Sequence, residues 1–259
     1  MQAEEVKTRV QSQFGRSAGG YAVSDVHAKG ESLGVLLERV RPEPDWEVLD
    51  VATGAGHTAL AVAPLVAKVV ALDLTAEMLA QARKLAEQRR LANIETCRGD
   101  AESIPFPDAS FDLVACRLAF HHFPNPQKAL AEFVRVLRPG GFLGFTDNIV
   151  VEDPAAAEVY NEIEKLRDPS HVCVQPLTAL EQSFRDAGLE VQGSTKLTKE
   201  FEFHDWADRQ HVSAPDKEKL LEMFRSIPEA LEPLLQPRWA DGTMYFTLWE
   251  AVIVARKTA

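Results

Sequence analysis

One short stretch, Trp46 to Gly56 (WEVLDVATGAG), constrains the fold of this chain more than any other. An apolar run with the character of a buried strand enters a turn of small residues, and a helical pattern follows to about Val66. Glycines in such a turn let the backbone bend tightly and approach a ligand closely. The alternation then continues. Lys68 to Leu72, Ile94 to Arg98, Phe111 to Arg117 and Phe142 to Thr146 read as strands. Between them lie helical patterns at Glu77 to Arg90, with Thr75 as N-cap and a basic end, and at Pro126 to Leu137, stopped by Pro139-Gly140-Gly141. Strands separated by helices predict a parallel sheet with crossover helices. Beyond Thr146 the pattern loosens. Asp153 to Leu166 and Pro176 to Ala187 are predicted helices, the second closed by Gly188. Leu189 to Phe203 reads as a long strand, Asp205 to Gln236 as proline-punctuated helix, and Met244 to Ala255 as a last strand. The count predicts seven strands in an α/β fold.

A chain of 259 residues suits one large domain, and 46% hydrophobic residues supply an ordinary core. The net charge of -11 argues against a nucleic-acid partner, because phosphate binding needs clustered Lys and Arg. Cys97, Cys116 and Cys173 form no CxxC pair and no metal-ligand spacing, and read as reduced thiols. The N-terminal MQAEEVKTRVQSQF lacks the apolar centre of a signal peptide, and no apolar run reaches bilayer length. A cytoplasmic protein with no membrane span and no metal is expected.

The turn itself admits two ligands. Gly54-Ala55-Gly56-His57-Thr58-Ala59 fits the dinucleotide pattern GxGxxG/A, so an NAD-linked oxidoreductase is one reading. Asp50, just ahead of the glycines, tilts the balance. A carboxylate beside a pyrophosphate meets like charge, whereas beside an ammonium or sulfonium it meets the opposite one. Asp73 ends the second strand, where an acid accepts hydrogen bonds from ribose hydroxyls; that supports either ligand. Its other reading is a helix N-terminal charge ahead of Thr75.

Asp50 to Gly56, Asp73, Gly99-Asp100-Ala101, Phe111-Asp112-Leu113-Val114 and Leu137-Arg138-Pro139-Gly140-Gly141 recur in an order that resembles the class I S-adenosylmethionine-dependent methyltransferases. The resemblance is to the branch around the ubiquinone and menaquinone C-methyltransferases, and it covers roughly Phe14 to Gly141. It implies a Rossmann-like, seven-stranded, mostly parallel sheet with helices on both faces and added helical lid segments. Residues 1–40 would form an N-terminal lid and 41–259 the methyltransferase domain, with insertions near 149–175 and 204–240. Ala52 stands where the family usually has glycine. By resemblance, Ala52, Thr53, Gly54 and Gly56 contact the methionine and ribose parts of S-adenosylmethionine. Asp73 binds the ribose hydroxyls and Leu74 packs on adenine. Gly99 leads to Asp100, which accepts from the adenine amino group, and the Ala101 N–H donates to the ring. Arg117 offers its backbone carbonyl near the methionine end. Phe14 to Tyr21 resembles the lid, with Tyr21 either closing over the cofactor or anchoring two helices.

Methyl transfer from a sulfonium is an in-line displacement, so the protein mainly aligns the reactants and excludes water. A base is needed only where the acceptor must lose a proton. His121 and His122, after the fourth strand, are the candidates, with His122 as the catalytic one; the competing reading has one packing structurally and the other lining the pocket. His204, Trp206, Arg209, His211, Trp239 and Tyr245 either wall a pocket for a planar or apolar acceptor or serve as packing. Asp147-Asn148 could also face the cleft. The expected activity is methylation of a small molecule at carbon, oxygen or nitrogen. An NAD-linked oxidoreductase and a non-catalytic cofactor-binding protein are the alternatives.

Overall fold

A computed structural model describes residues 3–22 and 30–258, with the backbone alone at Tyr21 and Ala22. Helices α1 (Ala3–Ala22) and α2 (Glu31–Val40) precede a regular series. That series runs β1 (Glu47–Val51), α3 (His57–Val62), β2 (Lys68–Asp73), α4 (Ala76–Gln88), β3 (Ile94–Arg98), β4 (Phe111–Arg117), α5 (Pro126–Val136) and β5 (Leu137–Ile149). Then come α6 (Pro154–Arg167), α7 (Leu177–Asp186), β6 (Leu189–Glu202), α8 (Phe203–Asp208), α9 (Ala214–Arg225), α10 (Glu232–Leu235), β7 (Arg238–Ala240) and β8 (Thr243–Lys257).

The strands form one sheet in the order β3-β2-β1-β4-β5-β8-β6, with β7 paired to the start of β8 on the edge opposite β6. β1 to β5 are parallel, and β8, β6 and β7 run antiparallel. The strand order reverses between β1 and β4, and ligands of open α/β sheets bind outside the carboxyl ends of the strands at such a point. Side-chain alternation splits the core. Leu49, Val51, Val70 and Leu72 pack with α5 and α7 on one face. Val48, Val69 and Ala71 pack with Leu36 and Val40 of α2 and Val62 of α3 on the other. A third cluster, centred on Trp206, Phe224 and Phe246, lies where α6, α8 and α9 meet β8.

Three sequence expectations are corrected. Among the described residues the sheet has eight strands, not seven, because Asp241 (φ 50°) and Gly242 (φ 78°) turn Arg238–Ala240 back onto β8; three residues are too few to show a period. Pro139-Gly140-Gly141 does not cap a helix but lies within β5, where the register to β4 shifts. A Cβ on Gly141 would sit 2.9 Å from the Asp112 carbonyl oxygen, so glycine there permits close strand approach. Thr75 occupies the N-cap of α4 but makes no side-chain cap bond, and the helix stops before Arg89 and Arg90. Among the described residues, no helix is long and apolar enough to cross a membrane.

Candidate active site

The turn after β1 is held from beneath by Asp50. This residue is 1% exposed, and its Oδ2 accepts from the Thr53 hydroxyl (2.5 Å) and the Ala59 N–H (3.0 Å). Burial pushes its carboxyl up to about 6, against the opposing pull of Thr53 and Arg117. Three alternate turn positions need left-handed or near-left-handed backbone: Ala52 (φ 52°), Gly54 (φ 56°) and Gly56 (φ 88°). The two glycines do different work. A Cβ on Gly56 would lie 2.9 Å from Cβ of Ala82, so Gly56 lets α3 pack on α4. A Cβ on Gly54 would meet nothing within 4 Å; that open side faces the cleft.

Asp73 closes the other side of this cradle. It is 8% exposed; Oδ2 accepts from the Gly54 N–H and Oδ1 from the Thr75 N–H, both at 2.8 Å. Burial raises its pKa, and those backbone donors oppose the rise. An open glycine turn beside a fixed carboxylate fits a ribose-bearing cofactor. Leu74, Gly99, Asp100 and Ala101 line the same cleft. Gly99 serves packing as well, since a Cβ there would come 3.0 Å from Leu72. Asp100 is already engaged. Lys7 of α1 donates to Asp100 (2.7 Å) and to the buried Glu102 (2.9 Å), so α1 is tied to the end of the cleft that the resemblance gives to adenine. Gln11 adds a bond to the Leu74 carbonyl (3.1 Å).

Arg117, at the end of β4, points its Nε at the Thr58 hydroxyl (3.1 Å). Next come the two histidines. The His121 ring lies 2.6 Å from Asp147 Oδ1, and its backbone N–H donates to Asp147 Oδ2 (3.0 Å). Burial acts to lower its pKa, but the surrounding carboxylates, Asp147 foremost and then Glu164 and Asp168, together hold it above the ordinary value. His122 behaves oppositely: burial and then the neighbouring His121 depress it to about 4. Its Nδ1 lies 3.1 Å from the Ser170 carbonyl oxygen, which can only accept. Neutral His122 therefore carries its proton on Nδ1 and keeps a lone pair on Nε2. Asp168 accepts from the Ser170 N–H (2.9 Å) and hydroxyl (2.6 Å), fixing the segment that His122 leans on. His171, 2% exposed, bonds Asn161 (2.8 Å) and is depressed to about 2 by burial and by His121 and His122.

The far wall comes from residues that the sequence reading did not single out: Glu164 and Arg167 of α6, Lys199 and Phe201 of β6, and Glu250 of β8. Phe14 of α1 covers the His122 ring edge-on at 5.0 Å. Of the expected aromatic and polar group, Trp206 and Arg209 line the cleft, and Trp206 also belongs to the third core cluster. His204, His211, Trp239 and Tyr245 are not among its lining residues, and Trp239 is 49% exposed. Asn148 faces the cleft, while Asp147 sits beneath as partner to His121. The Tyr21 side chain lies outside the described residues. Cys97, Cys116 and Cys173 are free thiols, and no metal-binding cluster occurs among the described residues.

Comparison with known proteins agrees with this geometry. A methyltransferase domain family matches residues 49–145, from β1 into β5. An uncharacterised methyltransferase, YcgJ of Bacillus subtilis, is 37% identical over 206 residues, covering 80% of this chain and 81% of that protein. A solved structure from Bacillus halodurans superposes with a TM-score of 0.85 at 38% identity, over 89% of this chain and 100% of the other. Demethylmenaquinone methyltransferase of Thermus thermophilus is 42% identical over 133 residues, but that match covers only 51% of this chain and 56% of the relative. With this family membership the NAD-linked oxidoreductase reading falls. The chain belongs to the class I methyltransferases, enzymes that use S-adenosylmethionine as methyl donor.

Proposed function

We propose that the chain methylates a small molecule bound beyond the glycine cradle, between His122 and the wall formed by α6, α8 and the β6–β8 edge. The observation that carries this reading is a continuous cleft running from the Gly54–Asp73 cradle to these walls. The cofactor supplies an activated methyl group and a neutral leaving thioether. The chain's own contribution is placement. Ala52 to Gly56 and Asp73 would hold the amino-acid and ribose parts, and Leu74, Gly99, Asp100 and Ala101 the adenine. The Arg117 backbone carbonyl would stand near the methionine end. Residues of α1 act as the lid, through Lys7 at one end and Phe14 at the other.

His122 is the residue we assign to the acceptor. Its neutral ring offers Nε2 as a hydrogen-bond acceptor. A group held near pKa 4 retains a proton poorly, so its role is to orient an acceptor hydrogen rather than to store it. The net charge of -11 favours a small molecule over nucleic acid, and three free thiols fit a reducing, cytoplasmic setting.

Thermal unfolding with S-adenosylhomocysteine, S-adenosylmethionine and NAD added separately tests the cofactor site. At about a hundred times its dissociation constant, a ligand that binds only the native state adds roughly 2.7 kcal/mol. The two adenosyl ligands should stabilise the protein, NAD should not, and Asp73→Ala should weaken the response. A response to NAD alone would sink the reading. For His122→Ala, the expected result is slower methylation once an acceptor is in hand; an unchanged rate across pH would remove His122 from the reaction.

A further inference from the structure

Strand β8 carries an anomaly. Its alternate positions Met244, Phe246, Leu248, Glu250, Val252 and Val254 are all buried, and one of the six is charged. A carboxylate in an apolar row is costly unless every lone pair it exposes to the interior finds a donor. Glu250 is 3% exposed, and its Oε1 is paired with Lys199 of β6, across the strand pair. Its Oε2 is buried and has no hydrogen-bond partner among the described residues. Glu250 stands opposite Asn148 of β5 in the sheet register, and both line the cleft. A second buried polar atom in that cleft, Nε1 of Trp206, likewise has no partner among the described residues.

We propose that the Lys199–Glu250 pair is a recognition subsite for a neutral hydroxyl group on an aromatic acceptor, with Oε2 of Glu250 accepting the hydroxyl hydrogen. This rests on the cleft being the acceptor site. The charge balance selects the hydroxyl. Lys199 already neutralises Glu250, and the cations Arg117, Arg167 and Arg209 share the cleft with the carboxylates Asp50, Glu164 and Asp168, so the pair calls for no further substrate charge of either sign. An anionic substrate group would face the carboxylate itself. A hydroxyl suits the pair because it donates to Glu250 and can accept from Lys199. The rings of Phe14, Phe201 and Trp206 enclose the body of the ligand, and the Trp206 N–H suits a second oxygen on it.

The test uses the full chain saturated with S-adenosylhomocysteine and titrated with 7-hydroxycoumarin, coumarin, 7-methoxycoumarin and benzylammonium. The hydroxylated probe should bind at least about tenfold tighter than the other three, the scale of a hydrogen bond to a charged group. In the double variant Lys199→Met/Glu250→Leu that preference should vanish while S-adenosylhomocysteine affinity stays. The double change removes the pair whole and leaves no lone buried charge; Glu250→Gln, the milder variant, should lower the same preference. No hydroxyl preference in the wild type, or a preference that survives the double change, overturns the subsite. So does benzylammonium binding as tightly as the phenol. If the wild type fails to bind S-adenosylhomocysteine, the cofactor reading fails and the subsite falls with it; normal binding without hydroxyl preference overturns the subsite alone.

Discussion

Two glycines two residues apart carry different loads, and substitution separates them. Gly56→Ala places a methyl 2.9 Å from Cβ of Ala82 at φ 88°, with the Ala82 backbone behind it. Overpacking between two helices costs about 1–3 kcal/mol, so its urea midpoint should fall clearly. Gly54→Ala meets nothing within 4 Å and bears only the strain of φ 56°, about 1–2 kcal/mol. Its methyl would instead enter the cradle, and S-adenosylhomocysteine affinity should drop at least about tenfold, the equivalent of about 1.4 kcal/mol. Wild-type affinity in Gly54→Ala would place the cofactor elsewhere. Ala52, at φ 52° and packed against the core, shows that this turn tolerates a methyl at a left-handed position.

At the scale of elements, α1 depends on contacts remote in sequence. Lys7 reaches Asp100 and Glu102, Gln13 reaches Gln210 (2.6 Å), and Phe14 covers His122. Lys7→Met should raise amide hydrogen exchange across residues 3–20 and, on the proposed placement of the cofactor, speed dissociation of S-adenosylhomocysteine, because the Lys7 salt bridges tie α1 to Asp100 and Glu102 at one end of the cleft. Unchanged exchange would mean that Gln13 and Phe14 suffice. None of these contacts was legible in the sequence, since each joins surfaces that only the fold brings together. The elements themselves were legible where the period is long: β3 and β4 lie where the sequence placed them. The misread Pro139-Gly140-Gly141 shows why boundaries are harder, because the same glycines serve a helix end and a strand bulge equally well.

For the whole molecule, the glycine-turn side of the cleft was readable as a cluster because its motif residues gather around one turn and adjoining strand ends. The opposite wall was not: Glu250 and Lys199 sit in strands whose composition shows no motif, and only the pairing of β6 with β8 brings them within reach, diagonally, with Glu250 facing Leu197 and Lys199 facing Leu248. The cleft also shapes the pH response of the fold. His122 and His171 are buried, lie near His121 and have depressed pKa values, about 4 and about 2, so both stay neutral in the native state near pH 5. Unfolding returns them to about 6.5. Between about pH 6.5 and 4 the unfolded chain binds protons that the native chain refuses, so these residues lower stability as pH falls. Asp50, raised to about 6 by burial, works in the opposite direction from about pH 6 to 4; His121, held up by Asp147, works in that same direction but only above about pH 6.5. The terms therefore overlap in the wild-type curve, and a difference measurement isolates one of them. His171→Gln keeps a donor for Asn161 and removes one titration. Chemical denaturation from pH 7.5 to 5 should show wild-type stability falling more steeply than that of the variant. The difference in slope should approach ~1.4 kcal/mol per pH unit as the unfolded histidine becomes fully protonated. Parallel curves would mean that His171 takes up its proton inside the folded cleft.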